Sequence, residues 1–296
     1  MMNEQDWERL TRQLLDGHCT PFLGAGACVD TLPSSVQLAE SWADRHHYPF
    51  QDHEDLARVM QYASITVGDA ISVKEELCKE LADKGYPDFT AAAEPHALLA
   101  TFPITVFVTT NYDDFLFKAL KAVGKDPDFA ISPWMSQAGN RTDFKPVPEH
   151  PPEETRPLVF HLHGRRTSPS SLVLTEDDYL EFLANIASTD DNGEFGLVPS
   201  VVNLAMTDKP LLFIGYSLRD WTFRVLFHGL LRTRPQLMHR RSVSVQLLPP
   251  VKGSITDAEQ KARQYMDHYL DQAKISIYWG TAQDFCTELR SRLAVA

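Results

Sequence analysis

The stretch VFVTTNYDDFLF, residues 106–117, decides the predicted fold. Its first three residues are β-branched or aromatic, which is typical of a buried strand. Asn111 to Asp114 then turn the chain, and Phe115 opens an amphipathic helix. Polar groups at the carboxyl end of a parallel strand lie where open α/β sheets bind ligands. Asn and Asp before a helix are also ordinary N-caps, so this turn alone does not predict a site.

Three other predicted strands also end in small or polar residues. With the first, the four ends are Gly24-Ala25-Gly26, Asn111-Tyr112-Asp113, His163-Gly164 and Gly215-Tyr216-Ser217. Buried strands alternate with helices along the chain, which predicts an α/β fold with a doubly wound, mostly parallel sheet. In such a sheet the four ends meet at one rim. Their convergence predicts a nucleotide site, although the GAGA turn alone is equally typical of a close-packed strand–helix junction.

The 296 residues are expected to form a single domain. Residues from about 36 to 99 show helical periodicity over almost their whole length, with breaks at Pro49, Gly68 and 85–87, and we interpret them as a helical insertion packed over the sheet. Residues from about 125 to 157 are rich in proline and acidic residues, which predicts an irregular excursion and a candidate flap over a site. Further strands are predicted at 172–174, 242–247 and 275–280, and helices at 220–231 and from 281 to Leu293.

Composition excludes several classes of protein. The net charge of −12 disfavours general attraction to nucleic acid or anionic lipid. No apolar run approaches the roughly 20 residues that span a bilayer, and the first residues are not a signal peptide. The four cysteines form no CxxC pair, and the histidines near residue 50 lack partners at ligand spacing, so no metal site is expected. These features predict a cytoplasmic protein with reduced thiols.

Taken in order, the motifs resemble the sirtuin-like family, and in particular its bacterial branch in antiviral defence systems. The matching motifs are GAGA (24–27), TTNYDDFL (109–116), HLHG (161–164), LTEDDY (174–179), LFIGYSLRD (212–220) and YWG (278–280). The resemblance implies a Rossmann-like NAD-binding domain with a smaller helical module. Sirtuins of this family use NAD to remove acyl groups from lysine, whereas its defence members cut NAD between nicotinamide and ribose.

Two departures from the sirtuin pattern favour the second activity. Deacylating sirtuins usually carry a zinc ion held by two CxxC pairs, which this chain cannot build. The proline-rich GIPDFR segment of sirtuins is replaced by CVDTLPSS. We therefore expect an NAD⁺ hydrolase that releases nicotinamide and ADP-ribose, with NAD as substrate and no metal. The alternatives are a zinc-free NAD-dependent protein deacylase and a non-catalytic NAD or nucleotide sensor.

The resemblance also implies roles for individual residues. Asn111 is expected to position water or the ribose hydroxyls, and His163, with an ordinary pKa near 6.5, to act as general base. Asp113 would receive the nicotinamide carboxamide, and His161 is expected to be structural. The expected pyrophosphate and adenine-ribose contacts are Gly24, Ala25, Gly26, Ala27, Gly215 and Ser217.

An enzyme that destroys NAD must be restrained in its own cell. The chain shows no separate sensor domain, so restraint is expected to come from assembly. The resemblance implies a homo-oligomer that works with a partner, for which a HerA-type hexameric ATPase is the candidate. Apolar residues of the helical insertion, around Trp42, Tyr48 and Phe50, are candidate contacts, with packing on the sheet as the alternative.

Overall fold

The computed structural model describes residues 2–135, 144–187, 197–216, 240–247 and 255–294. Its strands are β1 (Thr20–Leu23), β2 (Val106–Thr109), β3 (Asp128–Ile131), β4 (Leu158–His161), β5 (Leu211–Ile214), β6 (Ser242–Gln246) and β7 (Ile275–Trp279). Its α-helices are α1 (Glu4–Leu15), α2 (Ser35–Arg45), α3 (Leu56–Val67), α4 (Ala70–Asp83), α5 (Pro95–Ala100), α6 (Phe115–Ala122), α7 (Glu176–Ala187), α8 (Ser200–Asp208), α9 (Ile255–Gln272) and α10 (Ala282–Leu293).

The strands form one sheet in the order β3-β4-β2-β1-β5-β6-β7. Every pairing among the described strands is parallel, which confirms the predicted α/β class. From central β1 the chain builds β2 to β4 on one side, then crosses to β5 on the other. In open α/β sheets, ligands bind outside the carboxyl ends of the strands where the winding reverses. Here that point lies between β1 and β5.

Helices cover both faces of the sheet, as the doubly wound prediction requires. Alternate residues of each strand point to opposite faces. In β2, Val106 and Val108 join one core with residues of α7, α8 and α9, whereas Phe107 joins a second core with residues of α1, α5, α6 and α10. Both sides of the central strands are therefore buried, which explains their nearly continuous apolar sequence.

Three of the helices within residues 36–99 pack together, apart from the sheet cores. Helices α2, α3 and α4 share a separate core that includes Leu38, Val59 and Leu77. Helix α5 packs instead against α6 and contributes to the second core of the sheet, so the insertion ends before it. Trp42 is fully buried in the insertion, and the prediction that it forms an exposed contact is therefore wrong.

Two other predictions need correction. Residues 125–157 are not wholly irregular, because they contain the edge strand β3, which pairs with β4. Residues 172–174 were predicted to form a strand, but they belong to no strand of the sheet. The Val173 N–H donates to the His163 carbonyl (3.0 Å), and the Leu174 N–H donates to the Asp178 carboxylate (2.9 Å). The predicted helix at 220–231 lies outside the described residues. Among the described helices, none is long and apolar enough to cross a membrane.

Candidate functional site

Three glycines bring the ends of β1 and β5 into backbone contact. Gly215 has a positive φ of 85°, and a Cβ there would lie 2.4 Å from both the Ala27 nitrogen and the Gly24 oxygen. A Cβ on Gly24 or Gly26 would lie 2.8 Å from Gly215 backbone atoms. Real Cβ atoms do not approach that closely. Glycine is therefore required both after β1 and after β5, the two strands between which the winding of the sheet reverses.

The backbone N–H groups of the GAGA turn are mostly used within the protein. Gly24 donates to the Ile214 carbonyl (2.9 Å), Gly26 to the Gly215 carbonyl (3.0 Å) and Ala27 to the Gly24 carbonyl (3.0 Å). In the described part of the chain this leaves the N–H of exposed Ala25 for a ligand. The pyrophosphate cradle thus stays a prediction, and close packing of the turn is what the geometry displays.

In the described residues, no α-helix follows this turn directly. The turn continues into a single 3₁₀ turn, Ala25–Ala27, and the next helix, α2, begins only at Ser35. No α-helix N-terminus therefore lies directly at this turn to contribute to phosphate binding. Ser217, predicted to approach the same ligand, lies outside the described residues.

Asn111 connects β2 to β1. Its side-chain nitrogen donates to the Gly24 carbonyl (3.0 Å) and lies 3.3 Å from the Cys28 sulfur, while its backbone N–H donates to the Thr109 hydroxyl (3.0 Å). Both amide protons therefore have acceptors, so the orientation of the amide is fixed. The amide oxygen is then the atom that half-buried Asn111 can offer to water or a substrate hydroxyl.

Asp113 is buried beside Asn111 and held by two donors. One carboxylate oxygen accepts from the Phe115 N–H (2.8 Å) and the other from the Cys28 thiol (3.3 Å). Burial is the main cause that raises the pKa of Cys28 well above its usual value, and the charge of Asp113 raises it further. Cys28 therefore remains a thiol and donates to the carboxylate. The result is a chain of contacts from Asn111 through Cys28 to Asp113.

The histidines at the end of β4 and in the loop after it, His161 and His163, have different neighbours. β4 ends at His161, so the side-chain alternation of the strand does not extend to His163. The Nδ1 atom of His161 lies 3.4 Å from the Asn111 carbonyl oxygen. The ring of His163 packs edge-on against Phe182 and Tyr179, with centroids 4.9 and 5.5 Å away.

Burial changes the acid–base chemistry of both histidines. It lowers the pKa of His163 from 6.5 to about 3, and it lowers the pKa of His161 similarly, with a further contribution from Arg165. The expectation of an ordinary pKa for His163 is therefore wrong. Its Nε2 atom is buried and has no hydrogen-bond partner in the described part of the chain. The ring is neutral at pH 7 and presents an unused polar atom.

Sequence reasoning assigned no role to several residues that support this rim. Tyr216 donates to the Leu23 carbonyl (2.8 Å) and contacts the Thr110 hydroxyl (2.7 Å), so it bridges β5, β1 and β2. Arg166 forms a buried ion pair with Asp114. Tyr216 follows a glycine at a strand end, which is a signal the sequence offered. Nothing in the spacing of Arg166 and Asp114 predicts that they pair.

The structure thus brings Asn111, Asp113, Gly24 and Gly215 together at the carboxyl ends of β2, β1 and β5. His163 lies at the end of neighbouring β4, and no hydrogen bond joins its ring to Asn111 among the described residues. This rim offers a fixed amide oxygen, a carboxylate and an unpaired imidazole nitrogen. Such groups can orient a sugar hydroxyl, accept from a carboxamide and receive a proton.

The chain is similar in sequence to bacterial proteins named NAD(+) hydrolase ThsA. The chain is 28% identical over 213 residues to the NAD(+) hydrolase ThsA of Cytobacillus dafuensis. The aligned region covers 71% of this chain and 37% of that protein. It is 24% identical over 214 residues to the NAD(+) hydrolase ThsA of Enterococcus faecium, covering 72% of this chain and 40% of the relative. The matched region therefore spans about two fifths of the length of these curated relatives.

The family match covers most of the site. Residues 105–276 match the family described as SIR2-like domain, which is more than half of the chain and includes β2, β4 and β5 with the loops that follow them. The chain therefore belongs to the SIR2-like domain family.

Proposed function

We propose that this protein hydrolyses NAD⁺ at the bond between nicotinamide and ribose, giving nicotinamide and ADP-ribose, as part of antiviral defence. The observation that carries the proposal is the contact of Asn111 with Gly24, together with the contact of Asp113 with Cys28, at the carboxyl ends of β2 and β1. The likeness to proteins named NAD(+) hydrolase supports the choice of substrate. Water supplies the hydroxyl that replaces nicotinamide, and one proton is released.

The reaction passes through a state in which positive charge spreads over the ribose, because nicotinamide leaves as a neutral pyridine. The protein must therefore orient the ribose and a water molecule. Asn111 is suited to this task, since its fixed amide leaves the oxygen as an acceptor for a hydroxyl or for water. We assign Asn111 the positioning of the nucleophile or of the ribose hydroxyls.

His163 is proposed to accept the proton that water or a ribose hydroxyl loses. Its neutral ring and unpaired Nε2 atom are in the form that this role needs. Because its pKa is lowered to about 3, it is a weaker base than an exposed histidine. We expect it to orient the hydroxyl through a hydrogen bond and to hold the proton only briefly.

Asp113 is proposed to receive the nicotinamide carboxamide. Each carboxylate oxygen accepts one bond from the protein and has a further lone pair for the carboxamide N–H. The Cys28 thiol keeps this carboxylate in place. The remaining contacts to NAD would come from Gly24, Ala25, Gly26, Ala27, Gly215 and Ser217, among which the exposed Ala25 N–H is the best placed donor for a phosphate.

The decisive experiment incubates the purified chain with NAD⁺ and follows nicotinamide and ADP-ribose by chromatography. Equal amounts of both products are expected. An acetyl-lysine peptide in parallel reactions tests the deacylase alternative, which would yield O-acetyl-ADP-ribose. NAD binding without either reaction, with its partner also present, would contradict the proposal and favour a sensor.

We also propose that the chain works as a homo-oligomer with a separate partner, for which a HerA-type hexameric ATPase is the candidate. Support comes from the apolar surface of the helical insertion, where Phe50 is 61% and Ile65 is 70% exposed. Tyr48 and Tyr62 border the same surface. Exposed apolar residues grouped in this way often form protein interfaces.

Light scattering of the purified chain tests the oligomer, and NAD turnover with and without the ATPase tests the partner. Phe50→Ser and Ile65→Ser should shift the assembly toward smaller species without lowering the melting temperature. Val123→Ser, at an exposed position after α6, is the matched control. A monomer with full activity that needs no partner would refute this second proposal.

A further inference from the structure

Cys28, His96 and Asp113 meet in a buried cluster beside the proposed NAD site. The Cys28 sulfur lies 3.3 Å from a carboxylate oxygen of Asp113 and 3.8 Å from Nε2 of His96. All three side-chain ligand atoms lie within 4.8 Å of one another. The three residues come from the turn after β1, from α5 and from the loop after β2, and each is at least nine-tenths buried.

A second carboxylate fixes the orientation of His96. Nδ1 of His96 lies 2.6 Å from one oxygen of Glu94, whose other oxygen accepts from the Ala97 N–H (2.5 Å). Glu94 is itself buried, as the N-cap of α5. A carboxylate at this distance takes the hydrogen bond from Nδ1, which leaves the lone pair of Nε2 facing Cys28. Carboxylates hold metal-binding histidines in this way.

The ligand types and distances suit a transition metal ion. Zinc binds sulfur at about 2.3 Å, and histidine nitrogen and carboxylate oxygen at about 2.0–2.2 Å, in tetrahedral geometry. Tetrahedral ligands at those bond lengths lie roughly 3.3–3.6 Å apart. The sulfur–oxygen and sulfur–nitrogen distances of 3.3 and 3.8 Å are close to this range. Two buried carboxylates, Asp113 and Glu94, also favour a cation electrostatically.

We propose that Cys28, His96 and Asp113 bind a divalent transition metal ion of the zinc class, with Glu94 orienting His96. The thiol of Cys28 loses its proton to solvent when its sulfur bonds to the metal. Three protein ligands leave a fourth position for water. This site revises the sequence-based expectation of no metal.

The consequence for activity rests on the function proposed above. The metal would take the Asp113 carboxylate that we assign to the nicotinamide carboxamide. It would also convert Cys28, the sulfur that contacts Asn111, into a metal ligand. Binding of the metal and binding of NAD therefore exclude each other. Zinc is an inhibitor of NAD hydrolysis and takes no part in the reaction.

The alternative is a metal-free hydrogen-bond network. The same distances allow the thiol to donate to Asp113 while His96 bonds only to Glu94. Binding measurements on the full chain separate the two. The chain is first stripped with a chelator, and zinc is then titrated in competition with a chromogenic chelator. Cobalt substitution provides a second readout, because a thiolate ligand produces a charge-transfer band.

We expect the wild type to bind one zinc ion at this site. Cys28→Ser and His96→Asn should each weaken this binding at least about 10-fold, and Glu94→Gln by about 10-fold or more. Cys28→Ser should also abolish the cobalt charge-transfer band. Cys19→Ser, a buried cysteine elsewhere in the second core, is the matched control and should bind zinc normally. Circular dichroism melts identify any variant that fails to fold, and Cys28→Ser keeps a hydrogen-bond donor for Asp113.

The exposed group Glu40, His53 and Glu54 is the competing location for zinc. Zinc binding that is lost in His53→Ala but kept in Cys28→Ser would overturn the proposal, as would no zinc binding by the wild type.

The inhibition is tested by measuring NAD turnover with and without added zinc. Zinc should lower the turnover of the wild type, and it should leave the residual turnover of Cys28→Ser unchanged. Bound zinc with unchanged turnover would refute the exclusion of NAD. If no turnover is seen even without zinc, the proposed function fails while the zinc titration still decides the site.

Discussion

The side-chain amide of Asn111 donates to the carbonyl of Gly24 across 3.0 Å and so links the end of β2 to the end of β1. This bond fixes the amide next to β1, the strand at which the winding of the sheet reverses toward β5. A side chain whose donors are already used by the protein is preorganised as an acceptor. Groups held in this way contribute to catalysis by positioning.

Asn111→Ala should lower NAD turnover by at least about 10²-fold, because a precisely positioned acceptor is lost. The side chain is half-buried at a strand end, so the fold should survive. Turnover is measured beside a melting curve. Asn3→Ala, which removes the N-cap of α1 and should cost about 1 kcal/mol of stability, controls for destabilisation alone. Near-normal turnover in folded Asn111→Ala would remove this residue from the chemistry.

His163→Ala should lower turnover by at least about 10²-fold, and His163→Gln, which keeps an acceptor, should retain more activity. Since burial lowers the pKa of His163 to about 3, its ring stays neutral from about pH 5 to pH 8. The ratio of wild-type to His163→Gln turnover should therefore be constant over that range. A ratio that changes steeply around pH 6.5 would show that the histidine titrates normally.

The same pKa values predict a loss of stability in acid. The folded pKa of His161 and of His163 is lowered from 6.5 to about 3, so between these values the unfolded chain binds protons that the folded chain does not. The free energy of unfolding should fall as the pH decreases below 6.5, by at most about 1.4 kcal/mol per pH unit for each histidine. Above pH 6.5 both states are neutral at these positions, and their contribution is constant.

Urea unfolding at several pH values measures this dependence. His163→Gln should make the free energy of unfolding depend less on pH between about pH 4 and pH 6. His18→Gln, a replacement of an exposed histidine, is the control. An unchanged slope in His163→Gln would mean that the buried ring is protonated in the folded state.

Gly215→Ala should destabilise the protein and abolish NAD binding, since its Cβ would meet backbone atoms of Ala27 and Gly24 at 2.4 Å. Gly124→Ala is the matched control: it has the same φ of 85° but no atom within 4 Å of the added Cβ. The control should lose about 1 kcal/mol of stability from backbone strain alone. Gly215→Ala should lose a further 1–3 kcal/mol, roughly, from overpacking. Equal losses in the two variants would refute the close approach.

Chelators should not lower NAD turnover, because the proposed hydrolysis uses no metal. If the purified protein carries zinc at Cys28, His96 and Asp113, EDTA should instead raise turnover. The measurement compares initial rates before and after chelation, with metal content determined on the same samples. A loss of turnover that added zinc or magnesium restores would show that the reaction needs a metal after all.

The sequence by itself determined the order of the secondary structure and the rim to which the motifs belong. The 106–117 stretch predicted strand, turn and helix correctly, because a β-branched run and an amphipathic helix are local patterns. The Thr175-Glu176-Asp177-Asp178 segment at the start of α7 is also a local pattern, since Thr175 and Asp178 each donate a backbone N–H to the side chain of the other. Parallel strands have their carboxyl ends at one edge, so assigning the strands was enough to group Gly24, Asn111 and Gly215.

Only the tertiary structure decided which side chains meet and how deeply they lie. Cys28 and His96 are 68 residues apart, and no spacing rule joins them. The pKa of His163 depends on Phe182 and the other groups that exclude water from its ring, and a single sequence does not specify that burial. The edge strand β3 was missed for the same reason: its pairing with β4 is a long-range hydrogen-bond pattern, while its local sequence lies among prolines and charges. Local patterns encode elements, whereas burial and long-range contacts arise only when the elements pack.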